Sequence, residues 1–384
     1  MLLTQETVDR IRSFDGEGHP ILSVYLGLRP GVGELRSLPP RLKDVMAPVR
    51  TTLADLPRDS AMSLRADIEA VLASTDHISS DRGRGVALFR CSAAGIDEYV
   101  SLPGPVRDRA VTDFDPYLRP LDAMLEHYHS YCAVVIDRRK SSIFRFRMGE
   151  LETWEEMAEE EVRKQNYGGF SGYEEGKSRN RAEEIAHRHY RDTAHRLREL
   201  DQQEPFDLLL VGGPADHVDG LTTALDPTLR SKLAGSFALD PGTMTPAAVR
   251  SHCEELSAAY DRKHEAEVVT GLLDRAGSSP LAAVGVDPVL GAVNQRAVAE
   301  LVVQGMSSTP GRRCSDCGWL VTGNGALCPA CGEGMRAVPD LLDAMASAVR
   351  RSGGSVQNVI TQTPLITYEV GAVLRYAVPQ VEPG

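Results

Sequence analysis

Arg163-Lys164-Gln165-Asn166-Tyr167-Gly168-Gly169-Phe170-Ser171-Gly172-Tyr173, followed by a charged stretch of helical period over residues 178–200, is where the reading of the fold turns. Two adjacent glycines reach backbone conformations closed to other residues and let the main chain come close to a partner. They stand on a basic stalk: residues 163–198 hold nine Lys/Arg against five Asp/Glu, with three histidines. The residue after the pair is Phe170, whose side chain has no hydrogen-bonding group. In the helix, Ala182, Ile185, Ala186, His189, Thr193, Leu197 and Leu200 recur at a period that gives one buried face, and Arg181, Arg188, Arg191 and Arg198 fall largely off it. His187 and His189, two positions apart, point in different directions, so one is expected in the core and the other at the surface.

The flanks supply the scaffold. Before the loop, residues 131–137 are a continuous apolar run and Arg138-Arg139-Lys140 a turn. Residues 142–147 alternate apolar and basic as a half-exposed strand does, and 151–154 form a third strand. The acidic run 155–161 reads as a solvated helix face. After the helix, residues 206–211 read as a parallel-type strand that ends in Gly212-Gly213-Pro214, and 246–273 as a helix. Toward the N-terminus, residues 21–26 and 85–90 are expected strands. Residues 42–73 are helical with a break at Pro57-Arg58-Asp59, and the Pro-rich 103–120 is a connection. Toward the C-terminus, 289–300 and 341–351 are expected helices, and 301–303 and 356–361 expected strands. This alternation predicts α/β units in both later segments.

At 384 residues the chain is too long for one ordinary core. Its net charge of −12 argues against a protein that coats nucleic acid nonspecifically, although the local excess around the loop leaves RNA contact open. The N-terminal residues lack the basic start and apolar core of a secretory leader, and no run has the length of a membrane span. A cytoplasmic setting is expected, with neither membrane nor DNA as a partner.

Cys314-Ser315-Asp316-Cys317-Gly318 and Cys328-Pro329-Ala330-Cys331-Gly332 are two Cys-x-x-Cys knuckles with ten residues between them. Four thiolates at this spacing, Cys314, Cys317, Cys328 and Cys331, can close a tetrahedron around a structural zinc ion, and the glycine after each pair relieves a tight turn. A redox role is disfavoured because neither knuckle opens a thioredoxin-like βα unit.

At the loop and helix the chain resembles the archaeal and eukaryotic release factor family with its relative Pelota, and in particular a bacterial branch that includes a ribosome hibernation factor. Gly168-Gly169-Phe170-Ser171, then Arg179-Asn180-Arg181 through His189-Tyr190-Arg191, match that family's middle-domain loop and basic helix. Gly285-Val286-Asp287-Pro288-Val289-Leu290 and Ala297-Val298-Ala299-Glu300-Leu301-Val302-Val303 look like the start of its C-terminal domain. Ser352-Gly353-Gly354-Ser355-Val356 and Gly371-Ala372-Val373-Leu374-Arg375-Tyr376 look like its closing segments, and the ribbon sits where the family carries an insertion. The resemblance implies an α/β (α+β) architecture of three domains. These are 1–125, a middle domain 126–258 with the Gly-Gly loop, and 259–384 with a zinc ribbon at 311–336.

The same resemblance implies a function and marks where this chain departs from it. In release factors a glutamine after the two glycines helps to place the water that attacks peptidyl-tRNA. Phe170 can neither donate, accept nor orient such a water, and Gln165 lies upstream of the glycines. No Asn-Ile-Lys-Ser signature of stop-codon reading occurs in the first segment. The expectation is therefore a non-catalytic factor that occupies the A site of idle ribosomes, contacting rRNA and P-site tRNA, with elongation factor Tu as a partner. A peptidyl-tRNA-hydrolysing release or rescue factor is the alternative, and an RNA-surveillance or protein-interaction module acting off the ribosome a third. Tyr167, Phe170 and Tyr173 either stack on unpaired bases or pack on the base of their own loop. Arg163, Lys164, Lys177, Arg179, Arg181 and Arg188 are the expected phosphate contacts, against a reading in which Glu174, Glu175, Glu183 and Glu184 pair with them.

Overall fold

The computed structural model describes residues 3–28, 34–81, 83–147, 149–158, 173–242, 244–305 and 308–378. The chain divides into two compact units, Met1–His127 with Glu265–Gly384 and Tyr128–His264. All described elements belong to a mixed α/β fold. Among the described residues no helix is long and apolar enough to cross a membrane.

The N-terminal part of the first unit begins with α1 (Gln5–Arg12), whose first turn is capped by the Thr4 hydroxyl. Next come β1 (Ile21–Gly27), α2 (Glu34–Thr52), α3 (Arg58–Ala73), α4 (Thr75–Ser79), β2 (Gly85–Cys91), β3 (Ile96–Leu102), β4 (Arg109–Asp113) and α5 (Arg119–His127). The described strands form an antiparallel sheet in the order β3-β2-β1-β4. Leu22, Val24 and Leu26 alternate onto the face covered by Leu38, Leu42 and Met46 of α2 and Leu64, Ile68 and Val71 of α3. The expected connection at 103–120 holds a strand, β4, because Ala110 and Val111 pair with β1.

The second unit holds β5 (Tyr131–Ile136), β6 (Lys140–Arg147), β7 (Glu150–Ala158), α6 (Tyr173–Gln203), β8 (Leu208–Gly212), α7 (Ala215–Ala224), α8 (Pro227–Ser231), β9 (Leu233–Phe237) and the start of α9 (Pro246–Ser278). Its described strands run β7-β6-β5-β8-β9, antiparallel up to β5 and parallel from β5 onward. α6 and α7 cover one face with Ala186, Tyr190, Leu197 and Leu221, and α9 covers the other with Val249 and Cys253. The acidic run beginning at Glu155 is not a helix in its described part: Glu155, Glu156 and Met157 pair with β6. Edge strands tolerate charge on their open side. Glu155 is half-buried and accepts from two nitrogens of the Arg196 guanidinium group, Nε and Nη2, at 2.8 Å each.

The C-terminal part of the first unit adds β10 (Ala282–Val284), α10 (Val286–Asn294), β11 (Val298–Gln304), β12 (Gly311–Cys314), β13 (Leu320–Val321), β14 (Met335–Val338), α11 (Leu341–Arg351), β15 (Ser355–Val359) and β16 (Val370–Leu374). The described main sheet is ordered β10-β16-β11-β15, with β15 parallel to β11 across α11. The expected helix at 289–300 stops at Asn294, and residues 298–300 belong to β11: Arg296 takes a left-handed φ of 57°, which ends the helix. A small sheet β13-β12-β14 is inserted between β11 and α11.

The two parts of this unit are joined by buried charge. Asp340, at the N-cap of α11, accepts from the Tyr117 hydroxyl at 3.0 Å and from Arg119 at 3.2 Å. Arg350 of α11 pairs with Asp122 of α5, and Asn358 of β15 donates to Glu126 through both its backbone and its side-chain nitrogen.

Candidate functional site

α6 is the element that presents the loop. It runs 31 residues, about 46 Å at about 1.5 Å per residue, whereas the eight-residue β6 beneath it spans about 27 Å. Ala186, His189, Tyr190, Thr193, Ala194, Leu197 and Leu200 are buried, which is the expected face with Tyr190 and Ala194 added. Ile185 is only half-buried, and the Ala182 side chain lies outside the described residues. Tyr190 recurs four residues after Ala186, so the helical period itself contained that signal.

The register of α6 on the sheet is fixed at three points. The Thr193 and Ser141 hydroxyls are 3.0 Å apart at the start of β6. Arg196 pairs with Glu155. The Tyr190 ring fills the space that a side chain at position 220 would need, so only glycine lets α7 approach this closely. The Tyr190 hydroxyl then meets His217 Nδ1 at 2.7 Å. Residues 173–192 therefore extend from the Ser141 end of the sheet, toward the point where β7 ends at Ala158.

The C-terminal half of α6 is laced into its own unit by ion pairs, Arg196 to Glu155 and Glu199, and Arg198 to Asp226, with Asp201 receiving Lys232. Arg188 and His187 are exposed, while His189 is buried, as the spacing predicted. Arg163, Lys164, Tyr167, Gly168, Gly169, Phe170 and Ser171 lie outside the described residues, as do the side chains of Lys177, Arg179 and Arg181 on α6.

The four knuckle cysteines come together as expected. Their sulfurs all lie within 4.8 Å of one another. Cys314–Cys331, Cys317–Cys328 and Cys317–Cys331 are 3.4, 3.6 and 3.5 Å apart. A tetrahedron of sulfurs about 2.3 Å from a zinc ion has edges of about 3.8 Å, so this cage fits such an ion with small adjustment. Gly318 and Gly332 sit at φ 74° and 80°, the left-handed conformation that each knuckle turn requires. The backbone amides of Cys317 and Asp316 favour the Cys314 thiolate and bring its pKa down to about 6, whereas sharing protons with the neighbouring sulfurs pushes Cys317 and Cys331 up. These four side chains can hold a metal ion. The insert is keyed to the main domain by the Asn294 amide, which exchanges two hydrogen bonds with the Leu320 backbone at 2.8 and 2.9 Å.

The fold and these two sites define a class: a mixed sheet topped by an overhanging helix that leads a basic loop, in a chain whose other α/β unit carries a four-cysteine insert. Residues 116–257, about a third of the chain, match the model of bacterial archaeo-eukaryotic release factor family 10. No curated protein sequence gave a significant match. Among solved structures, the chain is similar to an archaeal translation termination factor at 15% identity, over 98% of this chain and 99% of that one, with a TM-score of 0.26. It is similar to Archaeoglobus fulgidus Pelota at 14% identity, over 79% and 84% of the two chains, with a TM-score of 0.36. Dom34 of S. cerevisiae, a translation termination-like factor, aligns at 10% identity over 73% and 77%, with a TM-score of 0.39.

Proposed function

We propose that this protein is a ribosome-binding translation factor that occupies the A site of idle ribosomes and does not hydrolyse peptidyl-tRNA. The reading is supported by the match of residues 116–257 to a release-factor family model, in a chain that has Phe170 after its two glycines, where the resemblance to release factors implies a glutamine. A phenyl ring cannot hold a water for attack on an ester, whereas the overhanging α6 still supports the reach that a space-filling loop requires. The role follows that of the hibernation factor Balon in the bacterial branch, with rRNA and P-site tRNA as the surfaces met and elongation factor Tu as a companion. The setting is the cytoplasm. Cys314, Cys317, Cys328 and Cys331 hold zinc in this reading. With four protein sulfurs the shell is closed, so the metal stabilises the insert and has no open position for a substrate.

The test uses bacterial ribosomes carrying labelled peptidyl-tRNA and an empty A site. Protein pelleting with ribosomes while the label stays on tRNA supports the proposal. Label released at a rate that Gly169→Ala abolishes would make the protein a hydrolase and overturn it, and so would a failure to pellet at low and moderate salt.

A further inference from the structure

The β5–β6 turn gathers positive charge at one end of the second unit's sheet. Its central residues are Arg138 and Arg139, followed by Lys140, and all three are exposed. None of them has an ion-pair partner among the described residues, in a chain whose net charge is −12. The turn is also held in one shape. Asp137 Oδ1 accepts from the Arg139 and Lys140 amides at 2.7 Å each, and the Asp137 amide donates to the Lys140 carbonyl at 2.9 Å. The single acid within the turn is thus engaged by backbone, and the three cationic side chains project from a rigid tip.

The position of this tip is set by strand register. Lys140 pairs with Ala158, the last described residue of β7, so the turn lies where the chain leaves the sheet for the Gly-Gly loop. α6 brings the chain back over the same end of the sheet, and Arg138 is close enough to Tyr190 of α6 for its charge to oppose the burial that raises the phenol's pKa. Asp216, at the exposed start of α7, and Asp137 are the acids that act on the same phenol. Asp216 sits in the first turn of a helix, where its charge complements the helix dipole.

We infer that Arg138, Arg139 and Lys140 form a second RNA-contact element that grips phosphates beside the root of the Gly-Gly loop. This inference rests on the ribosome-bound reading and extends it to residues outside the loop and helix. Three cations on a hydrogen-bonded turn, with no ion-pair partner among the described residues, match the regularly spaced charges of a nucleic-acid backbone, and releasing condensed counterions supplies the favourable free energy. Such contacts orient the domain without reading sequence.

The experiment measures affinity for bacterial ribosomes against salt for the wild type, the triple variant Arg138→Ala/Arg139→Ala/Lys140→Ala, and Arg198→Ala as a surface control. Each phosphate that is no longer neutralised lowers the slope of log affinity against log salt by about 0.7–0.9. The triple variant is expected to have a slope smaller by about two and to bind about ten- to a hundred-fold more weakly at 0.1 M salt. Arg198→Ala, whose partner is Asp226, is expected to bind as the wild type does. Arg138→Lys/Arg139→Lys, which retains charge, should keep most of the slope. A photo-crosslinker at position 139 is expected to give RNA adducts. A wild type that binds while the triple variant keeps its affinity and slope overturns this inference alone, as do adducts to protein only. A wild type that does not bind overturns the functional reading and this inference with it.

Discussion

Replacing Asp340 with asparagine is expected to loosen the first unit while leaving the second intact. The Asp340 side chain is 1% exposed and faces Arg119, 2% exposed, at 3.2 Å, with Arg109 at 3.8 Å and the Tyr117 hydroxyl at 3.0 Å. Asparagine keeps nearly the same shape and still caps α11 through the bond now made to the Leu342 amide, so the substitution removes charge and little else. Arg119 would retain the carbonyls of Gln304 and Gly305 but lose the carboxylate that balances its charge. Removing one partner of a buried pair costs about 3–5 kcal/mol because the remaining charge stays out of water. At about 1.36 kcal/mol per factor of ten, that is roughly a 150- to 5,000-fold reduction in amide protection. Hydrogen exchange read by mass spectrometry gives the answer with an internal reference. Peptides from β1 and α11 should lose protection by that factor, whereas peptides from β5 and β8 should not change. Protection in β1 and α11 within about fivefold of wild type would refute the reasoning. It would mean that the apolar packing of the two sheets, and not this charge cluster, holds the unit together.

The remaining predictions concern metal and pH. Cys328→Ser should lower bound zinc from one ion per chain to well below one, read by elemental mass spectrometry, and should make the region 311–338 protease-sensitive. Its own buried cluster among the described residues is little more than Cys314, Cys328 and Met335. Full retention of the insert's protection after complete chelation would count against a structural metal. Glu265 is buried, which alone would raise its pKa, but His127, the Thr361 hydroxyl and the amides of Ile360 and Thr361 outweigh this and hold it at about 2 against an ordinary 4.5. A depressed carboxylate stabilises the fold above about pH 4.5, and that contribution, about 3 kcal/mol, fades as pH falls toward 2. Acid unfolding of Glu265→Gln should therefore be less steep than that of the wild type across pH 4.5 to 2, and identical slopes would exclude this role.

The parts of the fold legible in the residues were those with strong local periodicity. The 3.6-residue period of α6 holds because side-chain direction repeats with backbone geometry and needs no distant partner. Residues 142–147 do form a strand, but not the half-exposed one their alternation suggests: β6 lies between β7 and β5, and Ser142 to Phe146 are all buried, Arg145 included. The four-cysteine cage was legible for a related reason: knuckle spacing and the following glycines are local geometry. The acidic strand β7 was not. Its charges suggest a solvated helix until β6 supplies a hydrogen-bonding edge and Arg196 supplies a partner for Glu155. Strand preference is mostly a statement about neighbours, which a run of glutamates does not name.

The amino-acid sequence by itself determined the helix that carries the loop, the thiolate set, and the presence of Phe170 after two glycines, because each is written within one turn, one knuckle or one position. Only the tertiary structure decided that Asp340 meets Tyr117 and Arg119 across more than two hundred residues, and that Arg138 stands near Tyr190. Those encounters depend on which sheet faces meet and in what register. Burial and strand pairing select these over the whole chain, and no local pattern encodes them.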